Sequence, residues 1–196
     1  MTYDPQAMGA LCASCPLKSQ VVVPPEGRED ARIVVVGESP GREEVIRRRP
    51  FIGASGRLLE DMLETVNVRR EQMWITNTIL CRPFAPGVPG LKQHEMGAML
   101  AWVRVHNRAL VKANEPTILS PIEACRPRLL RELAHLERRA QTVGLPNGLV
   151  VLSLGNYATH ALTGKIGVGK LRGSPVPCRI TDDSITAQWD PRPRGE

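Results

Sequence analysis

The sequence predicts an α/β fold with a central, mostly parallel sheet, and three observations support this prediction. Short runs rich in β-branched and apolar residues occur at 31–36, 73–80 and 149–154. The segments between these runs show the apolar periodicity of amphipathic helices. The first and third runs are apolar almost throughout, which is typical of strands covered on both faces. Strands that alternate with helices along the chain favour a parallel sheet between two layers of helices.

The first predicted strand leads into a glycine-rich segment and then a helix. The segment 37–56 reads GESPGREEVIRRRPFIGASG and contains a glutamate in a glycine-proline turn. Apolar residues at helical spacing predict an amphipathic helix over 55–66. Its expected buried face consists of Leu58, Leu59, Met62, Leu63 and Val66.

The second predicted strand, 73–80, is expected to stop at Cys81-Arg82-Pro83, because proline cannot donate a hydrogen bond to a sheet. After a loop at 84–90, residues 91–113 are predicted to form a helix. The apolar stripe of this helix contains Leu91, Met99, Leu100, Val103 and Leu110.

A further helix is predicted to begin after Ser120, which has the features of an N-cap. Pro121 occupies the first helical position and Glu123 stands three residues after the cap, as in a capping box. The third strand, 149–154, is followed by Gly155-Asn156, which open a short helix. A basic loop, GKIGVGKLRG, then begins at residue 164.

Length and composition favour one globular domain with a basic surface. The chain has 196 residues, of which 42% are hydrophobic, so one sizeable core is expected. We expect the domain to cover residues 1–180 and a polar tail to cover 181–196. The formal net charge of +6 is compatible with a polyanionic partner and equally with an ordinary basic protein.

Hydropathy indicates neither a membrane span nor a secretion signal. No segment approaches the ~18 apolar residues that a membrane span needs. The first fifteen residues lack both a basic start and a long apolar run. We therefore expect a cytoplasmic or nucleoid-associated protein with no membrane partner, whose cysteines lie in a reducing compartment.

The cysteines suggest a metal site. Cys12 and Cys15 form a C-x-x-C pair, Cys81 follows the second strand, and Cys125 lies near the start of a helix. Four thiolates with one close pair suit a tetrahedral sulfur site, which means zinc or an iron–sulfur cluster. The alternative is a set of small buried hydrophobes. Cys178 is left over and is interpreted as a free thiol.

Candidate functional residues follow all three predicted strands. The turn 37–41, Asn77 and Gly155 lie at or near the carboxyl ends of these strands. In parallel sheets these ends meet at one edge, where ligands commonly bind. The sequence therefore predicts a site at this edge.

Several motifs together resemble the family-4 uracil-DNA glycosylases, iron–sulfur enzymes of the wider uracil-DNA glycosylase superfamily. The motifs are GESPG, RPFIGASGRLL, ITNTILCRP, PIEACRPRLLREL and VVLSLGNYATHALTG, in this order between about Cys12 and Arg172. The resemblance implies a three-layer α/β/α sandwich. It also implies a 4Fe–4S cluster held by Cys12, Cys15, Cys81 and Cys125, and excision of uracil from DNA.

The resemblance also implies roles for individual residues at the predicted edge. Phe51 matches the position that stacks on a base flipped out of DNA, and Asn77 matches the amide that reads the base edge. Glu38 matches the carboxylate that positions a water against the sugar. Gly37 and Gly41 would let the backbone approach the substrate. Ser39, also a substrate-binding candidate, stands where the family usually has a small residue such as alanine.

Each of these residues also has a purely structural alternative. Glu38 could cap a turn, Phe51 could belong to the core, and Asn77 could satisfy backbone groups at a strand end. Two basic groups are weaker candidates for contacts with DNA phosphate. They are Arg47 and Arg48 in the first, and Lys165, Lys170 and Arg172 in the second.

The sequence departs from the family in two places. The family's histidine motif, which donates to the uracil carbonyl, has no counterpart, because the last histidine is His160; the fold is therefore expected to be C-terminally shortened. A helical insertion at about 84–114 separates Cys81 from Cys125 and contains His94 and His106. We interpret it as a packing or partner surface rather than as the source of a nucleophile.

Two functions remain open from sequence. The first is a uracil-DNA glycosylase acting on single- or double-stranded DNA. The second is a catalytically weak or inactive DNA-binding module that works with a replication or repair protein through the insertion. A zinc-bound structural protein is a lesser alternative.

Overall fold

A computed structural model describes residues 3–86, 94–142 and 148–176 of the chain. Its centre is a four-stranded sheet with the order β1-β3-β2-β4. The strands are β1 (Glu26–Gly27), β2 (Ile33–Gly37), β3 (Met73–Asn77) and β4 (Val150–Ser153). The three longer strands are parallel, and only the two-residue β1 is antiparallel to its neighbour. The predicted mostly parallel sheet is therefore confirmed.

Helices lie on both sides of this sheet, as the sequence predicts. They are α1 (Arg42–Arg47), α2 (Ala54–Glu64), α3 (Met96–Lys112), α4 (Pro121–Thr142), α5 (Asn156–Thr163) and α6 (Val168–Leu171). Two 3₁₀ turns, Cys12–Ser14 and Arg70–Gln72, complete the described elements. None of the helices in the described part of the chain is both long enough and apolar enough to cross a membrane.

The core has one layer on each face of the sheet, and strand β2 contributes side chains to both. Val34 and Val36 pack on one side with leucines of α4 and Ala158 of α5. Val35 points to the other side and packs with Leu59 and Leu63 of α2. Successive side chains of a strand point to opposite faces, so an unbroken apolar run is required where both faces are covered. This requirement accounts for the run IVVV in the sequence.

A third apolar cluster lies beneath the predicted insertion. Met99 and Val103 of α3 pack with Ile79 and Ile122. Cys15 and Cys125 belong to the same cluster. The helix of the insertion is thus part of the folded core, and it covers the region where the cysteines meet.

The start of α4 has the predicted capping box. The Ser120 backbone N–H donates to the Glu123 carboxylate over 2.7 Å, and the Glu123 N–H donates to the Ser120 hydroxyl over 3.2 Å. Reciprocal bonds of this kind satisfy two donors that the first helical turn leaves free. Leu129, Leu133 and Leu136 of α4 are fully buried.

Some predicted boundaries differ from the structure. The second strand ends at Asn77 rather than at residue 80, although the N–H groups of Thr78 and Ile79 still donate to the carbonyls of Gly37 and Glu38. β4 pairs with β2, and its first residue, Val150, is exposed, so this strand is less buried than predicted. The short elements β1, α1 and α6 fall in segments that the sequence predicts as loops or turns.

Two further predictions concern residues outside the described ranges. The helix predicted over 91–113 is observed over Met96–Lys112, and 91–93 lie outside the described residues. Cys178 and the predicted tail, 181–196, also lie outside them.

A buried arginine connects α4 to the carboxyl end of β3. Arg128 has no exposed surface, and its guanidinium donates to the backbone carbonyls of Asn77 and Thr78 over 2.7 and 3.0 Å. It also forms a 2.7 Å ion pair with Glu132, whose carboxylate accepts a bond from the Trp74 indole. The bonds that Arg128 and Glu132 make outside the helix therefore fix α4 against β3 and the residue that follows it.

Replacing Arg128 with methionine is expected to lower the free energy of unfolding by about 3–5 kcal/mol, because Glu132 would remain buried without its counter-charge. The measurement is urea denaturation followed by circular dichroism. Arg138→Met on the exposed face of the same helix is the control and should change the free energy by about 0.5 kcal/mol or less. Adding Glu132→Gln to Arg128→Met should recover part of the loss, and no recovery would contradict the charge-based explanation.

Candidate active site at the carboxyl edge of the sheet

A cavity of about 980 Å³ opens at the carboxyl edge of the sheet. It lies where β2, β3 and β4 end and where α2 begins. The residues predicted for substrate binding and catalysis all line it: Gly37, Glu38, Ser39, Gly41, Phe51 and Asn77. The structure thus brings together residues that are up to 40 positions apart, and their roles remain predictions.

Glu38 lies between the ends of two parallel strands and the start of α5. Its carboxylate accepts a 3.1 Å hydrogen bond from the backbone N–H of Tyr157, in the first turn of α5. Free N–H groups and the helix dipole both favour a carboxylate at this end of a helix. The alternative that Glu38 has a capping role therefore applies in part. The side chain caps the start of α5 and not the turn that follows Glu38 in the sequence.

Gly155 leaves room for this carboxylate. Its backbone has φ 103° and ψ 164°, a conformation that is almost restricted to glycine. A Cβ atom at this position would lie 2.3 Å from Oε1 of Glu38. Glycine is therefore required here both by the backbone conformation and by the position of Glu38.

Gly37 allows the aromatic ring and the amide to lie side by side. A Cβ atom at Gly37 would be 2.4 Å from Oδ1 of Asn77 and 2.5 Å from Cζ of Phe51. Asn77 stands directly opposite Gly37 in the sheet register and is only 2% exposed. The Phe51 ring and the Asn77 amide therefore flank the same strand end, and both face the cavity.

Phe51 is held in an unusual backbone conformation by Arg70. Its φ of 51° lies in the left-handed region, which costs a bulky residue of order 1–3 kcal/mol. Arg70 donates a 2.9 Å bond to the Phe51 carbonyl and a second bond to the Pro50 carbonyl. The same guanidinium forms salt bridges with Glu26 and Glu60. Arg70, which the sequence analysis did not single out, thus positions the ring.

Glu44 fixes the start of α2 on the other side of the cavity. Its buried carboxylate accepts bonds from the N–H groups of Ile52 and Gly53 over 3.1 and 2.7 Å. Side chains at Gly41 or Gly53 would meet this carboxylate. The predicted role of Gly41 thus has a second explanation, since its lack of a side chain makes room for Glu44.

Apolar side chains at the mouth of the cavity were assigned to the core by sequence periodicity. Leu58 and Met62 of α2 are 61% and 63% exposed, although they were predicted to be buried. Ile46 of α1 is 70% exposed, and all three line the cavity. Periodicity identifies an apolar helix face but cannot distinguish a packed face from one that borders a ligand cavity.

The four predicted metal ligands lie near one another without forming a compact site. Cys15 and Cys125 are buried, Cys12 and Cys81 are partly buried, and all four are free thiols. Across the described residues, no group of three or more His, Cys, Asp or Glu side chains is arranged to hold a metal ion. A zinc site, with Zn–S bonds of ~2.3 Å, requires such a compact arrangement.

The thiols nevertheless interact electrostatically. Burial raises the pKa of Cys81 to about 12, and Cys125, Cys15 and Cys12 each add to the increase. Burial also raises the pKa of Cys15 to about 12, although its sulfur accepts a 3.4 Å bond from the Leu17 N–H, which acts in the opposite direction. The four sulfur atoms therefore lie close enough to influence one another's charge, and the sulfur of Cys15 already accepts a backbone hydrogen bond.

The predicted phosphate contacts are exposed cations at two places. Arg47 and Arg48 are exposed at the end of α1, whereas the adjacent Arg49 pairs with Glu26 through two bonds of 2.7 and 2.8 Å. The second group, Lys165, Lys170 and Arg172, is exposed around α6.

The two histidines of the insertion lie apart from the residues that line the cavity. His94 bonds to the Pro83 carbonyl over 2.9 Å, and the ring of His106 stacks on Trp102 at 4.7 Å. Both contacts are structural, and neither histidine lines the cavity.

Comparison with known proteins gives a consistent set of matches. Residues 24–195 match the model of the family described as the uracil DNA glycosylase superfamily. A type-4 uracil-DNA glycosylase of Pyrobaculum aerophilum is 29% identical over 191 residues, covering 94% of this chain and 83% of that protein.

Two further relatives with the same name match over shorter stretches. The protein of Thermotoga maritima is 39% identical over 56% of this chain and 59% of its own length. The protein of Archaeoglobus fulgidus is 47% identical over 37% of each chain. The matched stretch thus spans less than two thirds of these two relatives.

The environment of Gly155 generates a prediction about stability. Gly155→Ala should lower the free energy of unfolding more than Gly164→Ala, because it places a methyl group against Glu38 and puts alanine in a conformation almost restricted to glycine. At Gly164, φ is 70° and no atom lies within 4 Å of the added carbon, so the cost should be limited to backbone strain of about 1–2 kcal/mol. Urea denaturation of both variants checks this order. Equal losses of unfolding free energy would contradict it and would show that the Glu38 carboxylate can move away.

Proposed function

Because the chain belongs to the uracil DNA glycosylase superfamily, we propose that it removes uracil from DNA by hydrolysing the N-glycosidic bond. The observation that carries the proposal is the single cavity shared by a carboxylate, an aromatic ring and a buried amide. These groups are Glu38, Phe51 and Asn77. A base inside a duplex is out of reach, so the substrate is a base turned out of its strand into this cavity.

The buried amide of Asn77 supplies base selectivity. A side-chain amide offers one acceptor and one type of donor, which match the N3–H and O4 groups of uracil. Cytosine presents the opposite pattern and would leave buried polar groups unpaired. The register with Gly37 and the bond from Arg128 to the Asn77 carbonyl hold the residue in place. Phe51, held by Arg70, provides the flat wall on which the base stacks.

Glu38 is proposed to act on the sugar and water. Breaking the glycosidic bond develops positive charge on the sugar, which a nearby carboxylate stabilises. The carboxylate also positions the attacking water, as a general base does. The bond from the Tyr157 N–H uses Oε1 of Glu38. Its other oxygen therefore remains available for the water.

Stabilisation of the leaving base needs a hydrogen-bond donor. The resemblance implies a histidine in this role, and none of the described residues that line the cavity is a histidine. Loss of one charge-stabilising donor typically reduces a rate by ~10²–10³-fold. The rate of release is therefore one result of the following test, and a catalytically weak or inactive DNA-binding module is the alternative that it addresses.

Glu38→Gln should reduce uracil release by ~10²–10⁴-fold, because glutamine keeps the size of the side chain but not its charge. Asn77→Ala should reduce it by ~10²–10³-fold. The assay is single-turnover release of uracil from a single-stranded oligonucleotide with one uracil, using protein purified without oxygen. Glu71→Gln and Asn114→Asp, at exposed positions that do not line the cavity, are the matched controls.

The outcomes of this assay separate the two functions. Release by the unaltered chain that both site variants lose and both controls keep supports the glycosylase. DNA binding without release by any form would contradict it and leave the binding module.

The four cysteines are proposed to hold a 4Fe–4S cluster. Cys12, Cys15, Cys81 and Cys125 supply only sulfur and interact electrostatically. Cys15 and Cys125 lie in the apolar cluster beneath α3, and Cys81 packs against it. An iron–sulfur cluster at this place would link the N-terminal segment, the residues that follow β3, and α4 by metal–thiolate bonds. Zinc is the alternative, and the sulfide analysis described below distinguishes the two.

Replacing Cys125 with serine should remove most of the bound iron and acid-labile sulfide and lower the thermal midpoint, because one of four ligands is lost. Metal and sulfide analysis of protein purified without oxygen, with its visible absorption, checks this expectation. Cys178→Ser is the matched control and should keep the cluster. Stoichiometric zinc without sulfide, or unchanged iron in Cys125→Ser, would contradict the proposal.

A further inference from the structure

A second cavity, of about 880 Å³, lies between α3 and the start of α5. Its apolar wall is formed by Leu100, Val103, Ile118, Leu119 and Ile166. Ile166 and Val111, at the open side, are 49% and 66% exposed. We call this cavity the α3–α5 groove. It is built largely by the helix of the insertion, to which the proposed base excision assigns no role.

A row of cations borders one side of the α3–α5 groove. Arg104, Arg108 and Lys112 are spaced four residues apart on α3, so they lie on one helix face about 6 Å apart along the axis. All three are exposed and line the groove. The acidic residue among the groove's lining, Glu123, is engaged in the capping box with Ser120. The groove therefore presents positive charge beside an apolar surface.

The groove begins where the first cavity ends. Gly155 lines the first cavity, and the next two residues, Asn156 and Tyr157, line the groove. The Tyr157 N–H holds Glu38, while its hydroxyl lies close to Gly97 of α3 and within electrostatic range of both Glu38 and Arg104. The start of α5 is thus a wall of both cavities, and an extended ligand that leaves one cavity can enter the other.

We propose that the α3–α5 groove binds the segment of single-stranded DNA adjacent to the base held in the first cavity. The three cations can pair with successive phosphates, since their spacing of about 6 Å along the helix resembles that of neighbouring phosphates in an extended DNA strand. The apolar wall and Tyr157 match the faces of unstacked bases, which a duplex does not expose. The inference rests on the proposed function for the identity of the strand, but its test does not require base release.

The test measures binding of a uracil-free, single-stranded oligonucleotide as a function of salt, by fluorescence anisotropy with protein purified without oxygen. The groove variant combines Arg104→Gln, Arg108→Gln and Lys112→Gln. Each phosphate contact contributes about 0.7 to the slope of log K against log salt for single strands, so the slope should fall by about 2. Binding at low salt should weaken by at least tenfold.

The control variant loses the same charge at the opposite edge of the sheet. It combines Arg32→Gln, Arg138→Gln and Arg139→Gln, all exposed and located before β2 or near the end of α4. Its slope of log K against log salt should change by less than about 0.5, because the variant loses only long-range attraction between the protein and the DNA. Thermal unfolding of both variants verifies that each remains folded.

Three outcomes are distinguishable. A smaller slope of log K against log salt in the groove variant alone supports the proposal, whether or not the protein releases uracil. Equal losses in both variants would show a general effect of net charge and overturn it. An unchanged slope in the groove variant would also overturn it and would assign the groove to another occupant, such as an acidic protein segment.

Discussion

The buried guanidinium of Arg128 is the interaction on which the arrangement of the site depends. It joins α4 to the carbonyls of Asn77 and Thr78, at the point where β3 ends. Cys125 lies one helical turn before it, within electrostatic range of the same charge. Asn77, which is proposed to read the base edge, is therefore positioned by a cation that also lies near one of the four thiols. Its Nε, which has no partner among the described residues, is the one hydrogen-bonding atom of this side chain left unsatisfied.

Carboxylates at helix starts determine the shape of the first cavity. Glu38 accepts a bond at the start of α5, and Glu44 does so at the start of α2. Each carboxylate lies against a glycine that leaves space for it, Gly155 in one case and Gly53 in the other. A helix terminus offers free N–H groups in fixed directions, so both acids are oriented by backbone, and neither forms an ion pair among the described residues. The cavity between them is thus bounded by the starts of two helices.

The sequence predicts the features that depend on burial and on strand order. The apolar run of β2 and the capping box of α4 are local patterns, and both are observed. The convergence of Glu38 and Asn77 follows from parallel strands that share an edge. Arg70 and Arg128 could not be identified in this way, because their partners lie 19–20 and about 50 residues away and no local pattern marks the pairing. Leu58 and Met62 were misassigned because periodicity reports an apolar face and not what covers it.

The left-handed turn at Phe51 has a consequence for the entropy of binding. The ring belongs to a segment whose two carbonyls are tied to Arg70 and whose backbone packs directly against Gly56. The conformational freedom of this segment is therefore given up when the chain folds, and not when a base arrives. A planar ligand meets a wall that is already in place, so little of its intrinsic affinity is lost to ordering the protein.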